Sequence, residues 1–163
     1  MVAEEGGMRS RKSWREKLGD GKGLPRVAKI TDKMTKKWGE GTVVIPAPRE
    51  VDEIMRTVPK GKLITINEVR SILARKHGAT MGCPLTTGTF AWIAAHAADE
   101  EANGGKKSIT PYWRTLKSGG ALNEKYPGGI EAQKARLESE GHRISMKGKK
   151  YIVEDWERSL LRE

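Results

Sequence analysis

The sequence holds few residues suited to covalent chemistry. There is one cysteine, Cys83, and there are three histidines, His77, His96 and His142, far apart in the chain. A single cysteine rules out an intramolecular disulfide and cannot hold zinc alone. Cys83 precedes a helical stretch, where a thiol can be somewhat acidic, but a buried structural thiol is the simpler reading. The histidines are too scattered to propose a triad or a metal site, so no cofactor is expected. The most distinctive stretch is ITPYWRTLKSGG, residues 109–120, with Tyr112-Trp113 set between Pro111 and Arg114. Two adjacent aromatics here either plug a core or stack on a base, a contact worth roughly 1–3 kcal/mol per base.

The charge balance points to the partner. The 163 residues carry 31 Lys and Arg against 21 Asp and Glu, a formal net charge of +10. Such a surplus favours a polyanion, because each neutralised phosphate releases condensed counterions. No window approaches the roughly 20 apolar residues of a membrane helix, and the first residues lack the apolar core of a signal peptide. A monomeric cytoplasmic protein is expected, lying on the nucleoid when bound to DNA.

The elements that must position these residues can be read from periodicity. Residues 1–48 are rich in Lys, Arg and Gly, and the first 50 residues hold 12 basic against 7 acidic side chains. They read as a basic, partly flexible N-terminal arm, with Trp14 and Trp38 as docking points, and residues 49–163 as the folded domain. Val51, Ile54, Met55 and Val58 form one helical stripe, ended by Pro59-Lys60-Gly61. A short strand KLITI follows, then a helix capped by Asn67 and stopped by Gly78. Thr86-Thr87 opens a third helix, with one of the two as N-cap. On that helix Phe90, Ile93 and Ala94 have core spacing, and Trp92 falls on another face. IEAQKARLESEG is a last helix, and Ile144 and Met146 face Tyr151 and Val153 across a terminal hairpin with Lys147, Lys149 and Lys150 at its tip. The expected fold is mainly α: a helix-turn-helix, winged-helix-like domain with a small C-terminal β-hairpin.

Four segments in order, VPKGKLITINEV, TTGTFAWIAAHAA, PYWR and KYPGGIEAQKARLESEGH, resemble the DNA-binding, active-site domain of the O6-alkylguanine-DNA alkyltransferases. The resemblance spans about residues 50–142. It is closest in kind to the family's catalytically inactive alkyltransferase-like members. It implies a helix laid in the DNA minor groove and a pocket that receives a rotated guanine. In the family a cysteine within Pro-Cys-His-Arg accepts the alkyl group. Here Pro111 and Arg114 match, but Tyr112 stands for the cysteine and Trp113 for the histidine, and the relay glutamate falls near Lys134. A phenol with an ordinary pKa near 10 is a poor acceptor at neutral pH. The resemblance therefore implies no enzyme. The family's intercalating arginine falls at Gly88 and its phosphate-rotating tyrosine at Ile66, which weakens base rotation more than it weakens DNA binding.

The expected function is non-enzymatic binding of double-stranded DNA, with alkylated bases as candidate targets. Expected DNA contacts are Thr86, Thr87, Thr89, Lys106, Lys107, Arg114, Lys117 and Lys125, around a pocket of Ile66, Tyr112 and Trp113. The alternative is a regulator or adaptor that keeps the fold and holds another protein or RNA.

Overall fold

The computed structural model describes residues 12–162. In chain order the elements are α1 (Trp14–Gly19), β1 (Arg26–Lys29), α2 (Asp32–Trp38), β2 (Thr42–Ile45), α3 (Pro48–Arg56), β3 (Ile64–Thr65), α4 (Ile66–His77), β4 (Met81–Gly82), α5 (Pro84–Asn103), β5 (Thr115–Leu116), α6 (Gly129–Ser139), β6 (Ile144–Lys147) and β7 (Lys150–Val153). Single 3-10 turns lie at Tyr112–Arg114, Ser118–Gly120 and Trp156–Ser159. Helix α5 is the hub, with α1, α3 and α4 all laid against it. Its buried Ala91, Ala94, Ala95, Ala97 and Ala98 let neighbouring backbones come close. Val51, Met55 and Val58 of the predicted stripe are buried, with Ile54 at their margin. No described helix is long and apolar enough to cross a membrane.

Residues 12–48 differ from the expected flexible arm. Ser13 caps α1 by accepting from the Glu16 N–H at 3.1 Å, and Glu16 accepts from the Ser13 N–H at 2.8 Å. The Trp14 and Arg15 N–H groups each donate to the Glu100 carboxylate of α5 at 3.0 Å, an anion at a helix N-terminus. Leu18 enters the main core. Further on, β1 pairs antiparallel with β2, and β2 pairs parallel with β4. That sheet covers a second small core of Ile30, Val43 and Cys83, with Met34 and Trp38 at its edge. The expected boundary at residue 48 is thus crossed by paired strands. The segment lacks a core of its own because its apolar residues bury against the rest of the chain. The part of the expected arm at residues 1–11 lies outside the described residues.

Trp14 is the largest side chain of this docking, 4.7 Å from the Trp92 ring centre and stacked on His96 at 4.5 Å. Trp14→Ala is expected to lower the unfolding free energy by about 2 kcal/mol. Urea denaturation checks this; a loss below about 0.5 kcal/mol, the range of ordinary surface changes, would mean α1 adds nothing to the fold.

Two helix starts also shift. Glu68 accepts from the Thr65 N–H at 2.9 Å, so α4 begins at Ile66 and Asn67 is inside it rather than its cap. Helix α5 begins at Pro84, with Cys83 as N-cap residue, one turn before the expected threonines. Gly78 ends α4 in the left-handed region, at φ 64°. The terminal hairpin has the expected register, with Ile144 opposite Val153 and Met146 opposite Tyr151.

Candidate nucleic-acid groove

The aromatic pair belongs to the core. Tyr112 and Trp113 are 3% and 8% exposed, in edge-to-face contact with each other, and Tyr112 meets Tyr126 in the same way. Thr110 donates to the buried Asp52 carboxylate of α3 at 2.6 Å, fixing the strand of chain that leads into the pair. Burial pushes the Tyr112 phenol above its usual pKa. Gln133 donates to the Trp113 carbonyl at 3.1 Å, and the Arg136 guanidinium lies 4.2 Å over the Trp113 ring. The expected pocket is therefore filled at this point by the residues that were to line it.

The carboxylate that meets this segment is Glu140, at the end of α6, which corrects the placement near Lys134. Trp113 Nε1 donates to it at 3.0 Å, and Arg114 donates through Nε at 2.9 Å and Nη2 at 2.7 Å. A third Arg114 bond goes to the Val58 carbonyl at 2.7 Å. Arg114 is a structural clamp between α3, α6 and the aromatic turn, and its donors are committed inside the protein. The expectation that it contacts DNA directly does not fit this placement.

A groove of about 1040 Å³ opens beside α5. Gly88, Thr89, Trp92 and His96 come to one wall because residues three and four apart share a helix face. Ile66, Asn67 and Arg70 of α4 form the second wall, and the loop from Lys117 to Lys125 forms the third. Polar bonds hold these walls together. His96 Nε2 lies 3.0 Å from the Lys125 carbonyl, Asn67 donates to Ser118 at 2.9 Å, and Arg70 donates to the Gly82 carbonyl at 2.8 Å. No atom lies within 4 Å of where a Gly88 side chain would begin, so the groove is open at that point.

Of the residues named from sequence, the groove gathers Ile66, Thr89, Lys117 and Lys125. Thr89 Oγ1 donates back to the Leu85 carbonyl at 3.0 Å, which leaves its lone pairs free. Thr86 and Thr87 fall elsewhere: both hydroxyl oxygens are enclosed and without a partner, and Thr87 is fully buried. They neither cap α5 nor face the groove. Lys106, Lys107 and Arg114 line a different hollow of about 600 Å³, together with Arg56 and Arg136. Lys106 is paired there with Glu101 at 2.9 Å. Sequence reading missed Asn67, Trp92 and His96 as groove residues. The available signal was that Trp92 lies off the core stripe, one turn beyond Gly88. Among the described residues no cluster of His, Cys, Asp or Glu has the makings of a metal site.

Two packed helices joined by a tight connection, then the aromatic turn, a closing helix and a hairpin, make up the alkyltransferase type of helix-turn-helix fold. Two S. pombe structures are among the solved structures that share it with this chain. One is S. pombe Atl1 in complex with damaged DNA containing O6-carboxymethylguanine, 20% identical, covering 71% of this chain and 94% of that one with a TM-score of 0.51. The other is S. pombe ATL in complex with DNA, 21% identical over the same shares with a TM-score of 0.52. At such identity the likeness establishes the fold. No protein-family model and no curated protein matches the sequence.

Proposed function

We propose that this protein binds double-stranded DNA through the α5 groove, from the minor-groove side, and transfers no alkyl group. The observation that carries this reading is the convergence of Lys117, Lys125, Arg70 and Thr89 around Trp92 in one open groove, on a chain of net charge +10. Cations and hydroxyls suit phosphate oxygens, and an aromatic face in the groove suits an unstacked base. The two S. pombe structures are complexes with DNA. Absence of transfer is supported by the Tyr112 phenol, which is buried, raised in pKa and outside the groove. Cys83 is buried in the small core under the β1–β2–β4 sheet.

The test is an anisotropy titration with matched duplexes, one plain and one carrying O6-methylguanine. Engaging about 6–10 phosphates predicts a loss of about 10³–10⁵ in affinity between about 50 and 200 mM salt. Preference for the modified duplex is the result expected if a base enters the groove against Trp92. Equal, salt-sensitive binding would restrict the reading to general DNA binding. Binding to neither duplex would sink it in favour of a protein or RNA adaptor, and a labelled alkyl group appearing on the protein would overturn its second half.

A further inference from the structure

Resting on that reading of the groove, we propose that the β6–β7 hairpin is a second DNA-contacting element, whose Lys149 and Lys150 hold the phosphate backbone of a duplex seated against α5. The hairpin lies outside the stretch whose motifs suggested a DNA-binding domain, so its role rests on its placement alone.

Lys147 pairs with Lys150 across the end of the ladder, and Gly148 supplies the positive φ, 65°, of the two-residue turn. Three lysines at one tip repel each other, a cost that a bound polyanion removes. All three are exposed, and none has a carboxylate partner among the described residues. The hairpin is bolted to the groove wall. The Leu122 N–H donates to the Tyr151 carbonyl at 2.9 Å, and Ala121 bridges to Ile152. Lys117 and Glu124 line the groove and also a hollow of about 320 Å³ whose far side is Lys149, Lys150 and Tyr151. The cations therefore run from Lys125 through Lys117 to the hairpin tip, across two tied segments.

Among the described residues that line the groove and this hollow, the one acidic side chain is Glu124, 3.6 Å from Lys117. Both partners are about half exposed, so the pair contributes little and a phosphate can replace it. The loop that carries Lys117 is also held against the chain following the hairpin: Gly120 sits so close to Trp156 that a Cβ there would lie 2.4 Å from the indole. A fixed row of lysines leading away from a groove fits a ligand with regularly spaced negative charge. Duplex DNA is that ligand under the reading above.

The experiment compares the full chain with Lys149→Glu/Lys150→Glu, with the neutral pair Lys149→Gln/Lys150→Gln, and with the charge-matched control Lys36→Glu/Lys37→Glu on α2, outside both linings. Duplex affinity is read by anisotropy across a salt series, and melting midpoints confirm that each variant folds. The reversal pair is expected to weaken binding by about 10-fold or more and to lower the log–log salt slope by about 2, and the neutral pair to lower it comparably. The control is expected to leave the slope close to that of the parent. If the control falls as far as the hairpin variants, net charge is responsible and the proposal fails. An unchanged slope in the hairpin variants, with salt-sensitive binding intact in the parent, would overturn the wing and leave the groove reading standing. No duplex binding by the parent protein would remove both.

Discussion

Replacing Glu140 with alanine is expected to lower the unfolding free energy by about 3–5 kcal/mol, the usual cost of breaking a buried ion pair from one side. The side chains of Arg114 and Glu140 are 13% and 7% exposed. Without the carboxylate, the guanidinium keeps only its bond to the Val58 carbonyl, and Trp113 loses the acceptor for its indole N–H. Changing Arg114 to methionine in the same chain should recover part of the loss, since no uncompensated charge then remains. Urea denaturation followed by tryptophan fluorescence reads both variants. A loss under about 1 kcal/mol for Glu140→Ala would show that water already screens the pair. The same network predicts acid sensitivity. Burial pushes the Glu140 carboxyl up, but hydrogen bonds from Arg114 and Trp113 and the Arg114 charge outweigh it and bring the group below its ordinary value of 4.5. A carboxylate depressed in the folded state contributes its full stabilisation above the unfolded value, and loses it as pH falls through the folded one. Stability should therefore decline below about pH 4.5, and decline less steeply in the Glu140→Ala variant.

Lys117→Glu combined with Lys125→Glu is expected to reduce duplex affinity by about 10- to 100-fold at low salt, because two favourable contacts become repulsive ones. The matching reversal at Lys106 and Lys107 should have a much smaller effect. Those lysines line the hollow beneath Arg56 and Arg136, and Lys106 is already paired with Glu101. The contrast is informative because all four lysines look alike in sequence: each lies in a loop flanking the same motifs. Equal losses from the two pairs would show that bound DNA is not confined to the groove, and would reject the division of the surface drawn from the structure.

The helix-turn-helix and the hairpin register were legible because each has a periodic apolar pattern bounded by a recognisable stop. Val51, Met55 and Val58 follow a helical period, and Ile144 with Met146 follows a strand period. Residues 12–48 were not legible, because their apolar side chains are few and are buried through long-range contacts such as Trp14 on Trp92. A window of local sequence has no access to that partner. The same limit explains the threonines. Thr86 and Thr87 have the residue type of a cap, but Pro84 already sets the helix start one turn earlier and turns both hydroxyls inward. For the aromatic pair, size was the useful guide: side chains as large as Tyr112 and Trp113 fill the space that a smaller nucleophile would leave open. The lysine-bearing loop from Lys117 to Lys125 stands out in the sequence, but which of its lysines share a groove wall is fixed only by folding.

Helix α5 is gripped near both of its ends by the chain's first folded segment. Just before Pro84, the Cys83 N–H donates to the Val44 carbonyl, extending the β2–β4 pairing. Toward the other end, Glu100 receives two backbone N–H groups from α1. A helix restrained in this way cannot tilt or slide to suit what docks on it. For a duplex bound as proposed, the adjustment would then fall on the DNA, and the energy of bending and unstacking would depend on its base steps. Pliable sites, such as mismatches and pyrimidine–purine steps, would be favoured through their mechanics, without a hydrogen bond to any base.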